Sequence, residues 1–378
     1  ARVRELLDDI VRRQLVADVP RCVLLSGGLD SSALTALAAQ QLAGQGEAVR
    51  SFAVDFVGQQ ENFVADDTRP TQDTPFVHDV AQHVHSQHKD IVLDHNALAD
   101  PAVRRTVLTA RDMPTGLGEM DASLYLLFKA IRQHSTVALS GESADEVFGG
   151  YRWFHEPEVQ RAKTFPWLAG IRASSPGSQP RTIYEPGLMS GLDFRGHLQD
   201  SYTQAVSEVD PLPGESEHEA RMRVMCYLHL TRFVRILLDR KDRMSMAVGL
   251  EVRVPFCDHR LVEYVYNTPW SMKTFDGREK SLLRAATRDV LPRSVAERVK
   301  SPYPSTQDPQ YVVALQQQAK ELLADHDNPV FAIIWRNWLA EAVSLDASKL
   351  DRRARQGLER ALDLATWLDI YRPEVRTS

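Results

Sequence analysis

The chain has 378 residues, of which 43% are hydrophobic and 25% charged, with a formal net charge of −6 at pH 7. That length suits two domains, or one large domain with an extension, and the mildly acidic balance argues against a dedicated nucleic-acid binder, which carries a basic surplus. No apolar run approaches the roughly 18 residues needed to span a bilayer, so neither nucleic acid nor membrane is expected as a partner.

The first segment, Ala1-Arg-Val-Arg-Glu-Leu-Leu-Asp-Asp, alternates charge with apolar residues and is no signal peptide. It starts at Ala, without Met, directly on a helical pattern, so a processed product or a piece of something longer is expected. Val3, Leu6, Leu7, Ile10, Val11 and Leu15 recur at helical spacing over residues 2–18. Cys22-Val-Leu-Leu25 is a short apolar run, read as a strand, that ends in Ser26-Gly27-Gly28. Ser32 to Leu42 is rich in Ala and Leu and reads as helix. Ser51–Phe56 is the next strand, the polar stretch 58–74 a loop, 75–87 a helix and Ile91-Val-Leu93 a third strand. Helical patterns follow at 95–110 and 121–134, and Thr136-Val-Ala-Leu139 is another buried strand that ends in Ser-Gly.

Strands alternating with helices predict an α/β fold with a parallel sheet covered on both faces. Ligands bind such sheets beyond the carboxyl ends of the strands, where both Ser-Gly turns fall. After Tyr151 the character changes: residues 164–190, with Ser-Ser-Pro-Gly-Ser and further prolines, read as loop, and from Glu217 onward the patterns are mostly helical. The expected organisation is a nucleotide-binding core over 1–160 and a mainly helical region over 161–378.

Ser26-Gly27-Gly28-Leu29-Asp30-Ser31-Ser32 bears the strongest chemical signal. Two glycines let the backbone approach an anion, successive N–H groups can form a nest, and the following helix N-terminus adds positive potential. Ser26, Ser31 and Ser32 offer hydroxyl donors to phosphate oxygens. Asp30 would repel phosphate unless a cation lies between, which points to Mg²⁺. A Gly-rich turn with Asp and Ser capping a helix is the plainer alternative. No Gly-Lys-Ser/Thr follows, so this is not a Walker loop.

The string resembles the pyrophosphate loop of the N-type ATP pyrophosphatases, which cleave ATP between the α- and β-phosphates and leave an adenylated substrate. Leu139-Ser-Gly-Glu-Ser-Ala-Asp-Glu-Val-Phe-Gly-Gly-Tyr151 resembles the Ser-Gly-Glu-Gly-x-Asp-Glu-x-Phe-Gly-Gly-Tyr signature of asparagine synthetases, with Ser143 in place of Gly. Its three carboxylates, Glu142, Asp145 and Glu146, repel one another unless a metal, a cationic side chain or a proton compensates. Asp239–Ala247 with Glu251–Asp258 resembles a further family segment, with Cys257 where the family has Leu. Arg240 and Arg243 within it can equally be members of a surface ion-pair network. Gly277–Arg284 brings Lys280 to the position of a lysine that contacts phosphate in the family. Arg298-Val-Lys300 follows, with Ser301-Pro302 where many members carry Gly.

The resemblance implies an adenine nucleotide alpha hydrolase-like core that binds ATP and Mg²⁺. Leu24, Ser26, Gly27, Gly28, Asp30, Ser31, Ser32, Val54, Ser140, Gly141 and Lys280 are its expected ATP and pyrophosphate contacts, and Asp30 and Asp145 its metal ligands. Glu142 is the expected general base, Lys280 the cationic catalyst and Tyr151 an orienting group, with Glu146, Arg243 and Lys300 completing the site. The implied reaction adenylates the β-carboxylate of aspartate and transfers it to ammonia, giving asparagine, AMP and pyrophosphate. An adenylating cyclase of the β-lactam synthetase kind, an amide synthetase for another acid, and a non-catalytic ATP-binding scaffold are the alternatives. Glutamine-dependent members open with an N-terminal domain that begins with a nucleophilic Cys, and none of Cys22, Cys226 and Cys257 is near the start, so a glutaminase domain would be a separate chain, a removed segment or absent. A homodimer is left open. The odd, scattered cysteines read as reduced thiols in the cytoplasm. His78, His83, His85 and His88 cluster but lack the i, i+4 pair of helical zinc ligands, and read as structural or solvated side chains.

Overall fold

The computed structural model describes residues 1–173 and 182–376. The chain opens with helix α1 (Arg2–Gln14), whose Val3, Leu6, Leu7, Ile10 and Val11 form a buried stripe while its arginines and acids face out. Strand β1 (Arg21–Leu24) leads through the Ser26 loop into α2 (Leu29–Ala43). α2 has little amphipathic contrast and buries residues on nearly every side, including Ser31, Ser32 and Thr35, so it is a central helix rather than a surface one. Next come β2 (Arg50–Phe56), α3 (Thr74–His83), β3 (Gln87–Leu93), α4 (Glu119–Arg132) and β4 (Val137–Leu139), followed by the single-turn α5 (Ala144–Phe148).

The sheet has five parallel strands in the order β3-β2-β1-β4-β5, with β5 at Glu251–Arg253. The sequence reading did not assign this fifth strand: it is three residues long, alternates charge with apolar side chains, and lies among helical patterns. It adds to the core sheet from beyond residue 160.

Alternation along β1 divides the interior. Val23 and Leu25 join Ala53, Val137 and Leu139 under α1 and α2, whereas Cys22 joins Phe52, Ile91 and Ala138 on the opposite face. That face is covered by α4, by α9 (Pro309–Ala324) and by α10 (Arg352–Tyr371). Burial on both faces is the reason the central strands β1 and β4 are short and almost wholly apolar, whereas the edge strands β3 and β5 carry charged residues. Farther along the chain come α6 (Glu217–Leu228), which packs in a separate cluster with Phe154, Val159 and Trp270, a π-helical turn over His229–Phe233, α7 (Val234–Met246), and α8 (Ser281–Thr287), whose Leu283 joins the α1 and α2 side of the core.

The Ser174–Ser178 part of the loop expected over 164–190 lies outside the described residues. Its described flanks carry helices, Pro166–Ala173 and Pro186–Gly191. Proline is well suited to a helix's first turn, so these prolines mark helix starts rather than loop. The stretch 58–74 is loop apart from one turn at Gln59–Asn62.

Chain order and spatial order part company between β1 and β4. From β1 the chain moves outward to β2 and β3, then returns to place β4 on the other side of β1. Crevices at such switch points, beyond the carboxyl ends of the strands, are where open parallel sheets bind ligands.

Candidate active site

Leu24 ends β1 at this crevice, and the chain turns through Ser26–Gly28 into α2. Gly27 holds φ at +68°, and a Cβ on it would lie 2.9 Å from Phe76 Cβ and from Val77 N at the start of α3, so only glycine fits. Arg298 braces the loop from behind. It donates to the Gly27 carbonyl at 2.9 Å, pairs with Asp73 at 2.5 Å, and lies 4.0 Å above the Phe76 ring. Inside the loop, Ser26 N donates to Ser31 Oγ at 3.0 Å and the two hydroxyls are 3.0 Å apart. Ser32 Oγ is buried without a hydrogen-bond partner. Gly28 caps α2, whose first N–H groups lack partners within the helix. The arrangement can cradle an anion.

The second Ser-Gly turn presses against the first. A Cβ on Gly141 would come within 2.8 Å of Ser31 N. Ser143, where the family signature has Gly, adopts the left-handed φ of 75° that glycine occupies without cost. Its hydroxyl receives a hydrogen bond from the Cys257 thiol at 2.8 Å. Gly150 makes room for Lys280, since a Cβ there would lie 2.0 Å from Lys280 Cε and 2.1 Å from Asp145 Oδ1.

Lys280 caps α8 with a left-handed φ of 57° and is 2% exposed. Its ammonium lies 2.5 Å from Asp30 Oδ2 and 2.6 Å from Asp145 Oδ1, and Lys300 pairs with Asp145 Oδ2 at 2.6 Å. Burial works against ionisation of Asp145, but the two ammonium groups outweigh it and hold its carboxyl down at about 2. Asp30, with burial and Asp145 against it and Lys280 as its near cation, is pushed up from the ordinary carboxyl value. Burial disfavours the charge on Lys300, yet Asp145 and Asp30 raise its pKa above the ordinary lysine range. Two acidic and two basic side chains thus interlock in the crevice. Asp30 Oδ1 is buried without a hydrogen-bond partner, and oxygen donors of this kind fit Mg²⁺.

Glu142 follows the second turn and pairs with Lys241 of α7 at 2.9 Å, and the same ammonium donates to Ser140 Oγ at 3.0 Å. Behind it, the Tyr151 hydroxyl donates to Glu146 Oε1 at 2.6 Å. Burial, with Asp145 and Glu142 nearby, pushes Glu146 up to about 8, so it is a neutral acid at pH 7. Burial and the same carboxylates keep Tyr151 protonated. The Tyr151 ring stacks on Trp153 at 4.5 Å and lies edge-on to Phe233 at 5.5 Å.

Ser26 to Ser32, Ser140 to Glu142, Asp145, Glu146, Tyr151, Lys280 and Lys300 therefore come from distant parts of the sequence to one place. Val54 lies on β2, beside β1. Arg243 does not join them: it is partly exposed, pairs with Asp239 one turn away at 2.7 Å, and donates to the Ala110 carbonyl. The surface ion-pair alternative holds for Arg243, which sits on the solvent side of α7. Arg240 is instead buried against Asp121 at 2.5 Å. The sequence reading overlooked Lys241 and the bracing role of Arg298. Lys241 stands in an Asp-Arg-Lys-Asp-Arg run, where nothing local separates it from its charged neighbours; only the packing of α7 on the second turn does.

The sequence profile of asparagine synthase matches residues 2–369. The chain belongs to the asparagine synthase family. "Asparagine synthetase [glutamine-hydrolyzing] 3" of Bacillus subtilis (strain 168) is 35% identical over 99% of this chain and 61% of its own length. Asparagine synthetase B [glutamine-hydrolyzing] of Escherichia coli (strain K12) is 25% identical over 85% of this chain and 48% of its own. The chain thus spans about half to three-fifths of the length of these relatives. Among solved structures, an NMN synthetase from Francisella tularensis aligns with 62% of this chain and 94% of its own at 13% identity and a TM-score of 0.28, too low to bear on the fold.

Proposed function

We propose that the chain is an AMP-forming ligase that adenylates the β-carboxylate of aspartate and transfers the acyl group to ammonia, yielding asparagine, AMP and pyrophosphate. The convergence of two Ser-Gly turns at the switch point, with Lys280 seated between Asp30 and Asp145, carries this reading. The relatives' names add glutamine hydrolysis, and their greater length leaves room for it. In this proposal a glutaminase segment beyond the present chain supplies ammonia. The functional division falls near residue 160, with phosphate-facing turns before it and the cations Lys241, Lys280 and Lys300 after it. Among the described residues no helix is long and apolar enough to cross a membrane. The free thiols of Cys22, Cys226 and Cys257 accord with a cytoplasmic setting.

In the proposed mechanism the β- and γ-phosphates rest on the Ser26–Ser32 nest, with Leu24, Val54, Ser140 and Gly141 against the remainder of ATP. Mg²⁺ held by Asp30 and Asp145 supplies neutralisation of phosphate charge when bound. The aspartate β-carboxylate attacks the α-phosphorus, the bond to the bridging oxygen breaks, and its electron pair leaves with pyrophosphate. Lys280 turns from the two aspartates to that developing charge, an electrostatic stabilisation preorganised by Gly150 and the cap of α8. Ammonia next attacks the acyl carbonyl, AMP departs, and Glu142 takes the proton that the nitrogen sheds. Lys241 orients Glu142. Tyr151 and the neutral Glu146 form the dry wall behind it, which keeps water from the adenylate.

Pyrophosphate release from Mg-ATP, with aspartate and with or without ammonium, followed by mass analysis of the product, tests the reading. Aspartate-dependent release and asparagine formed only with ammonium are expected. Release that ignores aspartate but responds to another acid would move the site to an amide synthetase or cyclase. No release with any acid would leave a nucleotide-binding scaffold.

A further inference from the structure

We propose that His78, His88 and Asp90 form a binding site for a divalent transition-metal cation of the zinc kind, on the edge of the sheet and apart from the ATP crevice. β3 is an edge strand, and His88 and Asp90, two residues apart on it, point to the same face. α3 packs over that face and presents His78 from its solvent side. The donor atoms of the three residues all lie within 4.8 Å of one another. Asp90 offers one oxygen to each imidazole: Oδ2 is 2.7 Å from His78 Nε2, and Oδ1 is 3.0 Å from His88 Nε2. The rings stand edge to face with centroids 5.9 Å apart.

Two features favour a cation over a plain hydrogen-bonded triad. Two imidazoles and a carboxylate are the borderline donor set that zinc takes, with bonds of about 2.0–2.2 Å, so a tetrahedral site needs donors about 3.3 Å apart. One donor atom from each residue lies within 4.8 Å of the other two, a spacing that closes to that value with small side-chain rotations. His88 is already oriented as a ligand, because its Nδ1 is engaged by Ser51 Oγ at 2.8 Å and its Nε2 is left toward the centre. The His78 side chain is 55% exposed, which gives an ion an entry path and leaves a fourth position to water.

The spacing rule for helical zinc ligands does not register this cluster, because one ligand comes from α3 and two from β3. His83 and His85, nearer to His78 in sequence, are not among the converging residues.

Zinc binding to the untagged, chelator-treated chain at pH 7.5 would be measured by equilibrium dialysis, and Co²⁺ binding by its visible absorption. One equivalent of Zn²⁺ and a Co²⁺ spectrum of tetrahedral intensity are expected. Each of His78→Ala, His88→Ala and Asp90→Ala should weaken binding by about 10-fold or more, whereas His83→Ala and His85→Ala leave it unchanged. His78→Ala guards against misfolding, since it truncates a largely exposed side chain. No retained equivalent in the unaltered chain, or equal retention in a His78→Ala/Asp90→Ala double variant, overturns the proposal.

Discussion

Glu146 is a carboxyl group buried between Asp145, Glu142 and the Tyr151 hydroxyl, with a pKa raised from 4.5 to about 8. The unfolded chain releases this proton near 4.5 and the folded chain near 8, so between those values the folded state binds more protons and loses stability as pH rises. Each pH unit inside the window costs about 1.4 kcal/mol, or about 5 kcal/mol across the whole of it. Glu146→Gln keeps the neutral shape and an oxygen to accept from Tyr151, but cannot ionise. Its new amide N–H₂ replaces Oε2, which has no partner, and the resulting offset is the same at every pH. The informative quantity is therefore the slope. Urea unfolding at pH 5, 6.5 and 8 should show the variant gaining on the native sequence by about 1.4 kcal/mol per unit, with the gain levelling off above 8. A difference independent of pH would refute a neutral Glu146, and with it the view that the wall behind Glu142 is held by a proton.

Lys280→Ala should lower aspartate-dependent pyrophosphate release by about 10²–10³-fold, the usual cost of losing one preorganised partner of a developing charge. Lys241→Met should separate the two half-reactions: adenylation, followed by pyrophosphate exchange into ATP, persists, while amide formation slows roughly 10-fold because Glu142 loses its charged hydrogen-bond partner. Glu142→Gln should give the same separation with a larger loss in the ammonia step, on the order of 10²-fold or more. Gly150→Ala drives a methyl group into Lys280 and Asp145, and should cost about 1–3 kcal/mol in urea unfolding along with most ATP binding by calorimetry.

What the sequence discloses of this site follows from what is local and what is not. The two Ser-Gly turns are legible because strand, turn and helix are adjacent in the chain, and alternating apolar runs set both turns at strand ends. Lys280 is legible only through a family pattern, since a lone lysine before a helix carries no local mark of where it reaches. Lys241 and β5 stay hidden because their meaning is made by packing against residues distant in the chain: Lys241 against Ser140 and Glu142, and Val252 against Ala138.

The two departures from the family signature show the same division from the other side. Read singly, Ser143 for Gly places a side chain on a left-handed turn, and Cys257 for Leu loses apolar bulk. In the fold the two meet, thiol donating to hydroxyl at 2.8 Å, so the polar atom introduced at one position is satisfied by the atom introduced at the other. Neither change is interpretable at its own place in the chain. Together they satisfy each other beside the turn that carries Glu142 to Lys241, so the proposed catalytic arrangement keeps its geometry while the motif around it changes.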